Sequence, residues 1–279
     1  MANVIPMAGE GKRFLDAGYG LPKPLIAVSG RPMIINAVRN MPKSDKWIFI
    51  VLQEHIDKYK IDEIIKKEVA DAIIVSVSKV TEGQACTCML AEPYLEKDEP
   101  VFIAACDNSY LYNREKYELL LEDKSVDSIV WSFTRHETLR KNPNARGWCV
   151  LEDDGITIKG MSVKTPISSD PYNDHAVVAS FFFRRLKDFI DAVRMMIKED
   201  YRINNEFYVD AVPIFMKKLE KRSVIFDIDY YFDWGNPRDL YEYQRLESFV
   251  RSGSKLIMPD EVNRVLPLLQ KYFSGINND

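Results

Sequence analysis

Short apolar runs rich in β-branched residues alternate with charged stretches of helical period over the first hundred residues of the chain. This alternation is typical of successive βα units that build a mainly parallel sheet. The apolar runs predict strands over 3–7, 47–52, 72–77 and 100–105. The stretches between them predict helices around 32–41, 55–68 and 83–95.

Strand-like runs become denser from about residue 126. They include SIVWSF at 128–133, WCVLEDDGITI at 148–158 with an Asp-Gly turn, and AVVASFFF at 176–183, and they predict mixed or antiparallel additions to the sheet. The remaining elements expected are helices over 184–199 and 206–221, a strand over 223–228, and a late helix for which Asn236 is the cap and Pro237 the first residue.

The domain organisation follows from the absence of any Pro, Gly or Ser-rich linker in the sequence. Residues 1–250 are therefore predicted to form one domain, with a functional subdivision near residue 125. Residues 251–279 are predicted to form a C-terminal helical tail, made of a loop and one amphipathic helix that ends in the polar segment SGINND.

Composition narrows the classes of function. The chain has 279 residues, 46% hydrophobic and 29% charged, which is the profile of a soluble globular protein with a substantial core. Its net charge of −4 lacks the basic excess that nucleic-acid binding requires, so we expect no nucleic-acid partner. The longest apolar run, 176–183, is too short to span a membrane, and the amino terminus shows no targeting pattern, so we expect a cytoplasmic protein.

Cysteine usage argues against a disulfide framework and against a four-ligand zinc site. The four cysteines, Cys86, Cys88, Cys106 and Cys149, are too few and too irregularly spaced for either. We expect them to be buried free thiols.

A glycine-containing loop follows the first predicted strand. Ala8, Gly9 and Gly11 can direct successive backbone N–H groups into the crevice at the carboxyl end of that strand, where phosphate oxygens bind well. Phe14 stands where the dinucleotide fingerprint needs its third glycine, and no Gly-Lys-Ser/Thr follows, so both common phosphate motifs fail.

Two cations accompany these glycines. Arg13 comes directly after them, and Lys23 is held on a stiff segment between Pro22 and Pro24. The combination predicts a phosphate-binding loop, and the alternative is a surface loop with solvated charges.

The segments MAGEGKRF and LPKPLIAVSGRPMI resemble the amino-terminal signature of the sugar-nucleotide pyrophosphorylases. These nucleotidyltransferases join a nucleoside triphosphate to a phosphorylated sugar and release pyrophosphate. Their usual form is Gly-x-Gly-Thr/Ser-Arg, and here Lys12 replaces the Thr or Ser. Other segments resemble later motifs of the family, in order, over about residues 1–245: EGQACTC at 82–88, AACDN at 104–108, RGWCVLEDDG at 146–155, SVKTP at 162–166, NNEFYVDAV at 204–212 and FDWGNPRDL at 232–240.

The resemblance implies a fold and assigns the two substrates to different halves of the chain. The expected fold class is α/β, a Rossmann-like three-layer α/β/α arrangement around a mixed, mainly parallel central sheet. Residues 1–125 would form the nucleotide-binding half and residues 126–250 the acceptor-binding half.

The resemblance also implies the catalytic groups. Asp107 and Asp233 would share one Mg²⁺, because hard oxygen ligands suit that ion. Arg13 would neutralise the β- and γ-phosphates, Lys23 would sit at the α-phosphate, and Lys164 would clamp the acceptor phosphate. Attack by a phosphate that is already ionised needs charge neutralisation and in-line positioning, with no general base. The alternatives are an Asx-turn at Asp107, a loop aspartate at Asp233 and a mobile strand-edge lysine at Lys164.

Further residues would recognise the two substrates. By the resemblance, Gly83 admits the nucleobase, with Ser78 and Gln84 within reach of its edge. Gly147 would permit close approach of the acceptor, and Glu206 would contact its hydroxyl or amino groups. The alternatives are a helix-opening turn at Gly83, a strand-opening glycine at Gly147 and an acid in the first turn of a helix at Glu206.

The substrate class stays open between two chemistries. AGYGLPKPLI, TEGQACTC and RINNEFYVDAV resemble a subgroup found among capsule and surface-polysaccharide genes, some members of which are cytidylyltransferases for non-sugar phosphates. Val163 replaces the usual Glu, and Ser180 stands where the sugar enzymes show Gly. A phosphorylated sugar is the first acceptor considered, and CTP with a phosphocholine-like or phosphoamino-acid acceptor is the second.

Two other classes of function remain open, namely a non-catalytic nucleotide-binding relative and an NAD-dependent dehydrogenase. Retention of Arg13, Lys23, Asp107 and Asp233 together argues against the non-catalytic relative. The sequence leaves open whether the chain forms a homo-oligomer.

Overall fold

The computed structural model describes residues 1–253 and 259–276. The strands are β1 (Ala2–Met7), β2 (Ala27–Val28), β3 (Arg31–Pro32), β4 (Lys46–Leu52), β5 (Ile73–Val77), β6 (Val101–Ala104), β7 (Asn108–Leu111), β8 (Ser128–Phe133), β9 (Gly147–Leu151), β10 (Ile158–Val163), β11 (Ala176–Phe183), β12 (Ser223–Asp227) and β13 (Tyr230–Asp233). The helices are α1 (Lys12–Asp16), α2 (Met33–Asn40), α3 (Gln53–Tyr59), α4 (Ile61–Glu68), α5 (Gln84–Met89), α6 (Arg114–Glu122), α7 (Glu137–Lys141), α8 (Leu186–Lys198), α9 (Val212–Lys218), α10 (Pro237–Ser252) and α11 (Asp260–Gly275).

The chain divides into two compact units, and the first contains a nine-stranded sheet. This unit comprises Met1–Gly9, Pro42–Ala105 and Asn113–Ile228. The strand order is β10-β9-β11-β6-β1-β4-β5, and β8 pairs with both β11 and β12. β1 pairs in parallel with β4 and β6, whereas β11 runs antiparallel to β6 and β8. The predicted α/β class with a mixed sheet is confirmed.

The core of this unit explains why its middle strands read as continuous apolar runs. β6 and most of β1 and β4 are buried, as expected for strands covered on both faces. Helices α5, α8 and α9 contribute apolar faces to the same core, which includes Phe181, Phe183, Phe189, Phe207 and Phe215.

The second unit contains Glu10–Met41, Cys106–Tyr112 and the described part of the chain from Asp229 onward. It holds two small antiparallel ribbons, β2–β3 and β7–β13, together with α1, α2, α10 and α11. β7, β13 and the β2–β3 hairpin are absent from the sequence prediction, because runs of two to four residues carry almost no periodic signal.

Some predicted boundaries are corrected by the structure. The helix predicted over 55–68 is interrupted at Lys60, whose φ of 53° is left-handed and separates α3 from α4. The α-helix predicted over 206–221 begins only at Val212. The predicted cap is confirmed, since the Asn236 side chain accepts hydrogen bonds from the N–H groups of Arg238 and Asp239.

The functional subdivision near residue 125 stays a prediction. The tail contains α11, while the parts of the predicted loop at 254–258 and of the chain end at 277–279 lie outside the described residues. Among the residues that the structure describes, the longest apolar helical segments fall short of what crossing a bilayer requires.

A bulge in β11 gives the first testable prediction. The register of β11 against β8 shifts between Val177 and Phe181, and Ala179 has a left-handed φ of 61° within the bulge. The backbone conformation that favours glycine is therefore at Ala179. It lies one residue before Ser180, the position at which the sugar enzymes show Gly. Since a Cβ is unfavourable in that conformation, Ala179→Gly is expected to raise the free energy of unfolding by about 0.5–1 kcal/mol, measured by urea denaturation.

The matched control for this prediction lies in the same strand. Ala176 is buried and has no positive φ, so Ala176→Gly is expected to lower stability. Equal destabilisation by both substitutions would contradict the assignment of backbone strain to Ala179.

Candidate active site

The two predicted metal carboxylates are positioned by the β7–β13 ribbon of the second unit. Asp107 directly precedes β7, and Asp233 ends β13, where it is paired in register with Asn108. The backbone N–H of Trp234 donates to the Asp107 carbonyl oxygen at 3.0 Å. The turn after β13 therefore folds back onto the backbone of Asp107.

The carboxylates of Asp107 and Asp233 both lie close to Gly235. A Cβ placed on Gly235 would be 3.0 Å from Asp233 Oδ1 and 3.6 Å from Asp107 Oδ2. Its backbone N–H donates to Asp233 Oδ1 at 2.9 Å. Both carboxylates thus converge on one point, and the absence of a side chain at Gly235 leaves that space open.

Lys23 joins the same cluster. Its Nζ donates to Asp107 Oδ2 in an ion pair whose side chains are only 20% and 24% exposed. Burial by itself lowers the pKa of the Lys23 ammonium, but the negative charges of Asp107 and Asp233 outweigh it and raise the pKa above the ordinary value. Lys23 therefore stays charged throughout the neutral pH range.

The structure shows why residue 11, in the loop after β1, is a glycine. It caps α1 in a left-handed conformation with φ of 65°, and a Cβ there would lie 3.0 Å from the Cβ of Lys23. Gly11 thus serves both a backbone conformation that favours glycine and close packing against Lys23. Arg13, in α1, has an exposed side chain.

The donor set suits magnesium. Within the described residues no group of three or more His, Cys, Asp or Glu side chains converges as a metal site. Two neighbouring carboxylates are nevertheless what Mg²⁺ commonly takes from a protein, since water and substrate phosphates fill its other positions. Asp107 and Asp233 therefore fit a divalent cation that binds together with a phosphorylated substrate.

The cysteines agree with the expectation of free thiols. All four are free, with Cys88, Cys106 and Cys149 buried and Cys86 half-buried. Burial raises the pKa of the Cys106 thiol to about 12, and the negative charge of Asp107 adds to that effect. Cys106 is therefore an unreactive neighbour of the carboxylates.

The predicted nucleotide-contacting residues of the first unit occupy different environments. Ala8 is buried and Gly9 is exposed at the end of β1. Ser78 is exposed just after β5, and Gln84 is the half-buried first residue of α5. Their contacts with a nucleotide stay predictions.

Gly83 has a structural reason that the sequence does not reveal. Its φ is 131°, and a Cβ there would lie 2.5 Å from the backbone nitrogen of Phe207 and 2.6 Å from its carbonyl oxygen. Phe207 N–H donates to the Glu82 carbonyl at 2.9 Å, and Ala85 N–H donates to the Phe207 carbonyl at 3.0 Å. Gly83 therefore lets two distant backbone segments pair directly.

A substitution at Gly83 is expected to be strongly destabilising. In Gly83→Ala the new Cβ meets backbone atoms that cannot move without breaking the two hydrogen bonds of Phe207. We expect the free energy of unfolding to fall by about 3 kcal/mol or more, measured by chemical denaturation. Gly160→Ala is the control, because nothing lies within 4 Å of its Cβ position; a similar loss there would contradict the steric argument.

The predicted acceptor residues Gly147 and Lys164 are brought together by the β9–β10 hairpin. Val163 is paired in register with Gly147, and the Lys164 N–H donates to the Arg146 carbonyl at 2.8 Å. Lys164 has a left-handed φ of 63°, and its Nζ donates to the Ala145 carbonyl at 2.6 Å. A bulky residue held in this sparse conformation is typical of functional sites.

Asp210 is a residue of this cluster that the sequence reasoning did not single out. A Cβ on Gly147 would lie 2.4 Å from Asp210 Oδ2, so the glycine makes room for the carboxyl group. Burial raises the pKa of the Asp210 carboxyl, and the positive charges of Lys164 and Arg146 oppose the rise. The only sequence signal was its place in the 204–212 segment.

Glu206 lies in a turn, outside any helix. It is exposed, it forms a bridge with Ile203, and its carboxylate interacts with the Tyr208 hydroxyl. The first-turn helix interpretation is thus wrong, because the adjacent Phe207 pairs with the backbone of Glu82 and Ala85 and α9 begins only at Val212. Lys164 Nζ lies 5.2 Å from the centre of the Tyr208 ring.

Comparison with protein families gives one match that covers most of the chain. The family model described as Nucleotidyl transferase matches residues 2–248. That segment includes the second-unit residues Lys23, Asp107 and Asp233, and the first-unit residues Gly147 and Lys164. It ends before α11.

Individual relatives agree with this match. The chain is 27% identical over 110 residues to a mannose-1-phosphate guanyltransferase of Debaryomyces hansenii, a match that spans 38% of this chain and 30% of that protein. Among solved structures, a nucleoside-diphosphate-sugar pyrophosphorylase from Vibrio cholerae RC9 has a TM-score of 0.69 at 18% identity, covering 87% of this chain and 99% of the other. An inositol-1-phosphate CTP transferase from T. maritima has a TM-score of 0.66 at 17% identity, covering 87% and 93%. At these identities the two structures establish the fold.

Proposed function

The chain belongs to the nucleotidyl transferase family of enzymes, and from that premise we propose that it joins a phosphorylated small molecule to a nucleoside triphosphate. An oxygen of the acceptor phosphate forms a bond to the α-phosphorus of the triphosphate. The bond from that phosphorus to the β-phosphate oxygen breaks, and pyrophosphate leaves with the bonding electrons. The products are a nucleotide-linked acceptor and pyrophosphate.

The observation that carries this proposal is the cluster of Lys23, Asp107 and Asp233 in the second unit. The lysine and one carboxylate are paired, and both carboxylates converge beside Gly235. The attacking and leaving groups of this reaction are both phosphates, so catalysis depends on compensating negative charge. In this role Lys23 compensates charge at the α-phosphate, while the exposed Arg13 does so at the leaving pyrophosphate.

Mg²⁺ is the cofactor we propose, held by Asp107 and Asp233. When bound, it supplies charge neutralisation and orientation to the phosphate groups. The protein's own contribution is to hold the two carboxylates side by side and to keep Lys23 charged next to Asp107.

For the acceptor we propose a phosphorylated sugar, bound in the first unit. The sugar-nucleotide enzymes among the relatives support this class. Lys164 would bind the acceptor phosphate, and Gly147 and Glu206 would lie near the remainder of the molecule. A nucleoside triphosphate substrate favours the cytoplasm as the compartment.

The second candidate is a CTP-dependent cytidylyltransferase that acts on a non-sugar phosphate, in surface-polysaccharide decoration. The likeness to a CTP transferase of inositol-1-phosphate supports it, as does Val163 at the place of the usual Glu. Glu206 and the Tyr208 ring would give a cationic acceptor group a negative charge and an aromatic face.

The test is a panel of nucleotides and acceptors. The purified chain is incubated with Mg²⁺ and each of ATP, CTP, GTP, UTP and dTTP, with hexose 1-phosphates, phosphocholine or phosphoserine as acceptor, and pyrophosphate release is followed. We expect one pair to give a rate far above the others and a product of the matching mass. If no pair exceeds the rate of Asp107→Asn, the non-catalytic nucleotide-binding function replaces this proposal.

A further inference from the structure

The ribbon that carries the two carboxylates is too small to be rigid alone. β7 and β13 have four residues each and form a separate two-stranded sheet. An isolated pair of strands of this size is marginally stable in water. Other parts of the second unit must therefore hold Asp233, at the end of β13, near Asp107.

Helix α11 supplies that support through aromatic packing. The Tyr272 ring stacks on Phe232 with centroids 4.7 Å apart and an interplanar angle of 19°, and Phe273 packs against Phe232 at 5.9 Å. Phe232 is the neighbour of Asp233 and is paired in register with Ser109. Because side chains alternate along a strand, α11 packs against the face of β13 opposite to Asp233.

Helix α10, which packs against α11, contacts the hairpin that follows Lys23. Ser29, in the β2–β3 turn, is hydrogen-bonded to Tyr243 and Glu247 of α10, each at 2.8 Å. Tyr243 in turn neighbours the Tyr272 hydroxyl, which also faces Ser109. Tyr272 of α11 is therefore next to β7 and is linked to the hairpin after Lys23 through Tyr243 of α10.

We propose that α11 is a positioning element, in which the stacking of Tyr272 on Phe232 holds Asp107 and Asp233 at the separation that a divalent cation requires. The inference rests on the proposed function, which assigns these carboxylates to the metal. It concerns a segment beyond residue 248, where the family match ends, so family membership does not supply it.

The test measures metal binding without either substrate. Tb³⁺ alone is titrated into the full chain, and its luminescence is sensitised by Trp234, which is buried directly beside Asp233. Asp107→Asn and Asp233→Asn identify the part of the signal that belongs to this site. We expect Tyr272→Leu to weaken Tb³⁺ binding by at least about fivefold, and Tyr272→Phe, which keeps the stacked ring, to bind within about twofold of the unmodified chain.

Matched measurements distinguish positioning from general stability. Leu268→Ala changes a residue of α11 that is 44% exposed, so we expect unchanged Tb³⁺ binding. Thermal unfolding is recorded for every variant, and if Tyr272→Leu does not fold, Phe273→Leu is tested by the same titration. Tb³⁺ affinity within twofold of the unmodified chain in the folded variant, or an equal loss in Leu268→Ala, overturns the proposal.

Failure of the enzymatic proposal would appear separately. The titration contains no nucleotide or acceptor, so absent pyrophosphate release together with a Tyr272-dependent Tb³⁺ site refutes the reaction and supports α11 as the positioning element. A Tb³⁺ signal that survives both Asp107→Asn and Asp233→Asn overturns the inference, because the metal then binds elsewhere.

Discussion

Asp107→Asn is expected to lower the rate of pyrophosphate release by about a thousandfold or more. The substitution removes one of the two carboxylates that converge beside Gly235, and with it half of the proposed protein donors to Mg²⁺. It also leaves the Lys23 ammonium without its charged partner, so the free energy of unfolding should fall by about 1–2 kcal/mol. Steady-state kinetics and urea denaturation measure the two effects.

The control for Asp107→Asn is an exposed acid of the same unit that has no role in the proposed reaction. Asp260 is exposed in the first turn of α11, and Asp260→Asn should change the rate by less than about twofold. If Asp107→Asn kept more than a tenth of the original rate, Asp107 would not be a metal ligand in the reaction.

Lys23→Gln is expected to lower the rate by about a hundredfold while leaving metal binding intact. The lysine is predicted to compensate charge at the α-phosphate, a contribution made during the reaction. Its removal also frees Asp107 from the ion pair, so Tb³⁺ should bind at least as tightly as before. Lys23→Gln should therefore slow the reaction without weakening Tb³⁺ binding, whereas Asp107→Asn should slow the reaction and weaken Tb³⁺ binding.

A lysine on the outer face of α11 provides the comparison for Lys23. Lys271 is exposed, and Lys271→Gln removes one positive charge from the same unit without touching the carboxylates. We expect an unchanged rate. A loss of Tb³⁺ affinity in Lys23→Gln would show that the lysine acts by holding the carboxylates in place, and would contradict its assignment to the phosphate.

The residues proposed for the metal and those proposed for the acceptor lie in different units. Lys23, Asp107 and Asp233 belong to the second unit, whereas Gly147 and Lys164 belong to the first. Substitutions at Gly147 and Lys164 should therefore act mainly on the KM of the acceptor, and those at Lys23, Asp107 and Asp233 mainly on kcat. Asp210 deserves the same test, because its buried carboxyl faces the charge of Lys164.

Local patterns in the sequence determined much of the architecture. The apolar runs predict β1 and β4 to within a residue, and Asn236 with Pro237 predicts the start of α10. These predictions succeed because the period of apolar residues and the chemistry of a helix cap depend only on near neighbours. The α/β class with a mixed sheet follows from the same patterns.

Tertiary structure alone decided which distant residues meet. The approach of a nucleobase at Gly83 stays a prediction, and only the tertiary structure shows that the conformation of Gly83 is required by the backbone of Phe207. Asp210 gave little signal, since a buried carboxyl is recognisable only once Gly147 and Lys164 surround it. Strand pairing and side-chain packing join positions far apart in the chain, and no local pattern encodes the partner.

The sequence by itself therefore determined the family resemblance, the class of fold and the charged groups that are proposed for a phosphate reaction. The convergence of Asp107 and Asp233, the burial of the Lys23 ion pair and the packing of α11 on Phe232 were decided by the tertiary structure. The physical reason is that charge and periodicity are properties of local sequence, whereas the distance between two carboxylates depends on the pairing of β7 with β13 and on the aromatic core that holds them.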